Sequence, residues 1–217
     1  MSQTIAIMQP YFIPYAGYFR LLSTTDLFVI YDCVQFPRRG WVHRNRLPDM
    51  NGNEEWLTLP IKKCPQETKI IDLEFADGGQ ELWQEQLQKF PSINKSQNKL
   101  AKKVQKLDGT PLEYIVSLME AACGELGIKF NVKYSSSLKL PEDLRGQDRI
   151  ISIAKHFAAT DYVNASGGTE LYNESDFKKE GINLRFLPPY KGQNWSILQR
   201  FMSEKPENIK KEIDANC

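Results

Sequence analysis

An α/β fold built on a mainly parallel sheet is predicted for this chain, and three observations predict it. Short apolar runs alternate with stretches of helical periodicity towards both ends of the sequence. The first of these units, IAIM (5–8), then Tyr15, Tyr18, Phe19 and Leu22 at helical spacing, then LFVIY (27–31), reads as strand, helix, strand. Polar, aromatic and arginine residues then follow both runs directly, in MQPYFIPYAGYF (8–19) and YDCVQFPRRGWVHRNR (31–46). A strand–helix–strand unit pairs its strands in parallel through a right-handed crossover, so the loops after both strands leave along one carboxyl edge. Segments 9–14 and 32–46 are therefore expected to meet there.

The elements that follow are read in order. EWLTLPI (55–61) and KIIDLEF (69–75) look like strands of a hairpin or meander that extends the first sheet. A Lys- and Gln-rich helical region spans about 80–106, interrupted at Phe90-Pro91, where proline disfavours the preceding turn. Thr110 as N-cap, Pro111 in the first helical position and Glu113 make a capping box, and this helix is expected to end near Gly127. IKFNVKY (128–134) reads as a strand, and Ile150, Ala154 and Phe157 form a helical stripe. TDYVNAS (160–166) is a strand running into Gly167-Gly168, a helix follows at 173–179, and INLRFL (182–187) is the last strand. No repeat or firm boundary divides the chain. It is read as one α/β domain over 1–217, with a helical insertion at about 78–127.

Composition excludes several classes. At 41% hydrophobic and 25% charged, the 217 residues are those of an ordinary globular chain. No run approaches the roughly eighteen apolar residues of a membrane span, and the start lacks the pattern of a signal peptide, so a cytoplasmic location is expected. Cys33, Cys64, Cys123 and Cys217 form no Cys-x-x-Cys pair, which argues against a zinc site or a disulfide framework. A net charge of +1 supplies no global field for nucleic acid, so anion binding has to come from local clusters. Lys89, Lys95, Lys99, Lys102, Lys103 and Lys106 surround Leu100, Val104 and Leu107 as the solvated face of an amphipathic helix would. Arg38, Arg39, Arg44 and Arg46 stand instead in a loop with Trp41 and His43, where the planar guanidinium suits phosphate or carboxylate.

Candidate chemistry is spread over the strand ends. Ser166-Gly167-Gly168 leads from a strand to Tyr172 and a helix, and reads either as an anion nest or as a tight turn. Arg145 and Arg149 lie upstream, either aimed at the same edge or solvated. Pro188-Pro189-Tyr190 with Gln193 is a stiff loop after the last strand. Neither His43 nor His156 has the spacing of a metal site or a triad. His43 is the better acid–base candidate by its neighbours, and His156 reads as structural. Asp32, closing the second strand, is the strongest carboxylate candidate, as a general base or as a strand-end cap.

Taken together, these residues resemble the WbqC-like proteins of bacteria over most of the chain. Met8-Gln9-Pro10-Tyr11-Phe12 with Pro14 and Gly17-Tyr18-Phe19 carries the likeness, as do Tyr31-Asp32 with Val34-Gln35-Phe36 and Gly40-Trp41 with Arg44-Asn45-Arg46. Trp56-Leu57-Thr58 with Pro60, segment 164–172, Tyr190 and Ser196-Ile197 complete it. Many members have an acidic residue where Cys33 stands and Ile-Asp where this chain has Leu198-Gln199, so no shared carboxylate carries over at either place. The resemblance implies surface-polysaccharide (O-antigen) biosynthesis and glycine transfer to an amino sugar. A more distant likeness, to nucleotidylyltransferases and pantothenate synthetases, implies a Rossmann-like sheet. There Tyr15 and Tyr18 stand where those enzymes carry histidines, and Gln35-Phe36 falls at a matching place.

The function expected is therefore N-acylation of an amino sugar, nucleotide-linked, with glycine as a candidate acyl group and an activated donor that is an adenylate, a thioester or a charged tRNA. No cofactor is specified, and no nucleic acid is expected as a partner unless a charged tRNA is the donor. Arg39, Arg44 and Arg46 would pair with phosphate or carboxylate, Tyr11, Tyr18 and Trp41 would stack, and Gln9, Gln35 and Asn45 would read hydroxyl or amide groups. The alternatives are a non-catalytic nucleotide-sugar or glycan-intermediate binder, and a nucleotidylyltransferase.

Overall fold

The computed structural model describes residues 2–217. Strand β1 (Thr4–Met8) is followed by helix α1 (Ala16–Ser23) and β2 (Leu27–Ile30), as the periodicity requires. A hairpin of β3 (Arg44–Pro48) and β4 (Glu54–Thr58) comes next. Helices α2 (Gly79–Leu87), α3 (Pro91–Lys95) and α4 (Lys99–Val104) follow, with Pro91 opening α3 where the break is expected. In α5 (Pro111–Leu126) the capping box is complete, Thr110 and Glu113 satisfying each other's backbone N–H, and Gly127 ends the helix at φ 66°. The remainder alternates: β5 (Val132–Tyr134), α6 (Gly146–His156), β6 (Asp161–Asn164), α7 (Glu174–Lys179) and β7 (Asn183–Phe186). Helices α8 (Ile197–Ser203) and α9 (Pro206–Ala215) close the chain.

Five strands form one sheet in the order β5-β2-β1-β6-β7, every neighbouring pair parallel. This is an α/β, Rossmann-like arrangement. Ile5 and Ile7 pair in register with Leu27 and Val29 and enter the core under α6 and α7, beside Ile150, Ile153 and Phe177. Ala6, Phe28 and Ile30 point to the other side, among Phe19 of α1, Trp83, Tyr114 and Ile209. Strands buried on both faces need apolar residues at odd and even positions alike, so β1 and β2 read as unbroken apolar runs.

The region after β2 departs from expectation. The β3–β4 hairpin is a separate two-stranded sheet, and does not extend the central one. Segment 69–75 forms a 3₁₀ turn at Ile70–Asp72 with single bridges at Lys69 and Phe75, so KIIDLEF is not a strand. Its apolar residues serve as isolated plugs: Ile70 and Leu73 are buried, whereas Ile71 and Asp72 face water. Arg44, Asn45 and Arg46 lie on β3 rather than in a loop, a strand hidden by its polar composition.

Candidate functional site

The strand order reverses between β1 and β6, whose chains leave the sheet in opposite directions, and a crevice opens where they part. Its wall includes Gln9 after β1, Tyr31 after β2, Asn164 at the end of β6 and Gly168 beyond it, Gly146 at the start of α6, and Tyr172, around a cavity of about 480 Å³. Gly168 sits so close to the Asn164 amide that a Cβ there would lie 2.7 Å from Nδ2. The Ser166–Leu171 segment, a 3₁₀ turn, carries Ser166 and Gly167 at the same strand end. Tyr172 is wedged against Tyr162, Phe177 and Phe186, which fixes its ring as a rigid wall.

Tyr31 and Gly146 also border a second cavity, of about 500 Å³, which holds Cys33, Gln35, Lys69, Arg145 and Arg149. The Arg149 guanidinium lies 3.3 Å from Cys33 Sγ and donates to the carbonyls of Pro141 and Leu144, and Arg145 donates to those of Glu142 and Leu144. Among the described residues neither arginine has a carboxylate within ion-pair distance. Both stand at the start of α6, where no side chain caps the free N–H groups, and with Lys69 they outnumber the Glu67 and Glu142 carboxylates that border the same cavity. Burial, and secondarily Cys33, push the Tyr31 phenol up to about 12, which keeps it a neutral donor at pH 7. The Ser135 hydroxyl oxygen lies 3.0 Å from Cys33 Sγ.

Asp32 does not open into either cavity. It is fully buried, and its carboxylate accepts from Ser135 Oγ (2.8 Å), Ser136 N (2.9 Å) and Ser136 Oγ (2.6 Å), which ties β2 to the turn Ser135–Ser137. This is the geometry of the strand-end cap, the other of the two readings of Asp32. His43 is also placed apart from the crevice, in a groove with Leu59, Ile61, Glu85 and Gln86, its ring edge-on to Phe36. Burial, and then the Arg44 charge, lower its pKa to about 4.

The loops after β1 and β2 do meet, but mostly to hold each other. Phe12 N donates to Trp41 O at 3.1 Å, and buried Asn45 donates through Nδ2 to the carbonyls of Phe12 and Ile13 at 3.2 and 2.7 Å. Ser196 Oγ reaches the same Ile13 carbonyl at 2.8 Å. Ile13 is thereby kept at φ 43°, a left-handed backbone unusual for a β-branched residue. Arg44 closes its own loop on the carbonyls of Arg39 and Gly40 and lies over Trp56 at 4.2 Å, so it is scaffold. The Arg39 side chain is exposed. Arg46 pairs with Glu54 at 3.1 Å and also covers Trp56.

Tyr18 is buried, and its hydroxyl donates to Gln9 O at 2.8 Å, so it fixes the chain behind the crevice and cannot stack on a ligand. Asn45, with its amide engaged, is likewise unavailable as a hydroxyl reader. Gln35 donates to Gln66 O at 2.8 Å. Tyr190 packs on Tyr15 and donates its hydroxyl to Glu212, within the cluster around buried Arg200. Gln193 is exposed nearby. The residues predicted for one site thus lie in three places. Tyr31, Lys69 and Asn164, which only the crossing of strands brings together, are not among them, and Arg145 and Arg149 stand between two readings.

A family model described as the WbqC-like protein family matches residues 9–203. The chain belongs to the WbqC-like family. It is 26% identical over 190 residues to the uncharacterized protein Rv1507c of Mycobacterium tuberculosis, covering 84% of this chain and 81% of that protein. No solved structure matches the chain. The WbqC-like match begins at Gln9, the first residue beyond β1, and takes in the β3–β4 hairpin and the lining of both cavities except Ile7 and Met8. Among the described residues no helix is long and apolar enough to cross a membrane, and no group of three His, Cys, Asp or Glu is placed to hold a metal.

Proposed function

We propose that this WbqC-like protein is a transferase of surface-polysaccharide biosynthesis that N-acylates an amino sugar carried on a nucleotide, with glycine as the acyl group. The observation that carries this reading is the joined crevice at the strand reversal, with Arg145 and Arg149 unpaired at its side. A diphosphate would lie against the arginines, Lys69 and the start of α6, where charge-assisted hydrogen bonds are shortest and strongest. The sugar would extend towards Gln9 and Asn164, whose amides can both donate to and accept from ring hydroxyls. Gly168 lets the backbone come close there.

The chemistry asked of the protein is modest. The sugar amine adds to the carbonyl of an activated donor, the leaving group departs with its bonding pair, and the ammonium proton passes to solvent or leaving group. Holding amine and carbonyl together accounts for much of such a rate, and the neutral Tyr31 phenol can donate to the developing oxyanion. The amide-forming version and the identity of glycine rest on the family resemblance. Incubation with nucleotide-linked amino sugars and glycyl donors, as adenylate, thioester or aminoacyl-tRNA, tests the reading by mass spectrometry of the sugar. An N-glycyl product is expected.

A non-catalytic binding protein is the second reading, because Asp32 is saturated and His43 stands elsewhere, which leaves no buried acid–base pair at the crevice. Stabilisation by the nucleotide sugar with no product from any donor would establish it. Pyrophosphate release from a nucleoside triphosphate and a sugar phosphate would point to the nucleotidylyltransferase instead.

A further inference from the structure

On the other side of segment 9–11 lies a cavity that the crevice does not use. Gln9 borders the crevice, and Tyr11, two residues on, borders this cavity of about 460 Å³ together with Trp41, Arg46, Glu54, Asn194 and Trp195. We propose that it is a second carbohydrate site, separate from the nucleotide-sugar crevice, which takes the ring of a neutral pyranose.

Three features of the cavity identify the ligand class. The first is aromatic surface left in contact with water. Trp41 and Trp195 are 43% and 36% exposed, although Tyr11 stacks on Trp41 at 5.6 Å and Trp56 lies 5.3 Å from it. Exposed indoles beside a cavity offer a face for the C–H side of a sugar ring.

The second is unspent hydrogen-bonding capacity. Among the described residues, the indole N–H groups of Trp41 and Trp195, the Asn194 amide and the Tyr11 and Tyr15 hydroxyls have no protein partner. Arg46 and Glu54 meet at 3.1 Å with both side chains about half exposed, so a guanidinium fork and a carboxylate stand side by side at the rim. Each sugar hydroxyl both donates and accepts, and vicinal hydroxyls match such a paired donor and acceptor.

The third is charge. Arg46 and Glu54 cancel, and no other ionised side chain borders the cavity. A nucleotide would bring phosphates to a place with no excess cation, whereas the cavity beside the crevice sets Lys69, Arg145 and Arg149 against Glu67 and Glu142 and is net positive. The neutral ligand therefore belongs here and the charged one there.

The walls are also preorganised. Tyr11 and Tyr15 flank the strained Ile13, whose carbonyl is held by Asn45 and Ser196. Ile197 N donates to Pro14 O at 2.7 Å, and Tyr15 bridges to Ser196, so the segment that bears Trp195 is bound to the loop that bears Tyr11. Little ordering remains for a ligand to impose.

The test uses the full chain, with saturation-transfer NMR and tryptophan fluorescence as readouts. The probes are methyl pyranosides of gluco, galacto and manno configuration with their 2-amino and 2-acetamido forms, and adenosine and uridine as planar controls. Saturable binding of at least one neutral pyranoside is expected, and binding of the cationic 2-amino forms alone would overturn the proposal. Trp195→Ala, a change at an exposed side chain, and Glu54→Gln should each weaken it by about tenfold, with far-UV circular dichroism unchanged. Arg145→Ala should leave it as in the parent protein. The proposal is overturned if no pyranoside binds, if only the nucleosides bind, or if sugar binding is lost in Arg145→Ala and kept in Trp195→Ala. That last result would leave the crevice reading intact. Loss of nucleotide-sugar turnover alone would leave this one intact.

Discussion

Replacing Asp32 by asparagine separates a structural carboxylate from a catalytic one. The side chain is fully buried and receives three hydrogen bonds, two at Oδ1 from Ser135 Oγ and Ser136 N and one at Oδ2 from Ser136 Oγ. Bonds to a charged acceptor contribute about 1.5–3 kcal/mol each, and neutral ones about 1 kcal/mol. The amide can keep both bonds at its oxygen, at neutral strength, while its NH₂ group faces the Ser136 hydroxyl, which then has to turn and accept. Removing the desolvation cost of a buried charge offsets part of the loss. The balance is a destabilisation of about 2 kcal/mol, or roughly 4–8 °C in Tm for a chain of this size. Urea and thermal unfolding measure it, alongside nucleotide-sugar affinity and turnover per folded molecule. Both functional values should stay within about threefold of the parent, a change smaller than one lost hydrogen bond. A variant as stable as the parent but without turnover would refute the cap and return Asp32 to the reaction.

Two further outcomes are expected, one at the candidate site and one away from it. Arg145→Ala should weaken a nucleoside diphosphate sugar by about 10–100-fold in calorimetric titration, with Tm almost unchanged because the side chain is exposed. Equal affinity in the variant would remove the arginine from the site. His43 has a folded pKa near 4, below its unfolded value of 6.5, so the unfolded state binds more protons between those limits. This contribution is present in full above pH 6.5 and is lost as pH falls towards 4. The urea midpoint of the parent should drop over that window, and that of His43→Gln should drop less. Parallel pH profiles would contradict the burial of a neutral imidazole.

Much of the scaffold was legible because its causes are local. The apolar runs of β1 and β2, the capping box at Thr110, the stop at Gly127 and the break at Pro91 each depend on residues within a few positions, so pattern and propensity suffice. The meeting of segments 9–14 and 32–46 followed from the handedness of one crossover. The misreadings fall where partners are distant in sequence. Arg44 and Asn45 resemble parts of a ligand-binding loop, yet their hydrogen bonds go to Arg39, Gly40, Phe12 and Ile13, and Asp32 resembles a base until Ser135 and Ser136 arrive from 103 and 104 residues away. Tyr18 carries a polar tip that only the packing of α1 against the sheet turns inward. The sequence alone determined the strands of the central sheet and the parallel pairing of its first two. Whether each polar group is spent inside the protein or left free for a ligand was decided by tertiary structure, because a hydrogen bond between distant segments satisfies a donor without leaving any periodic trace in the chain.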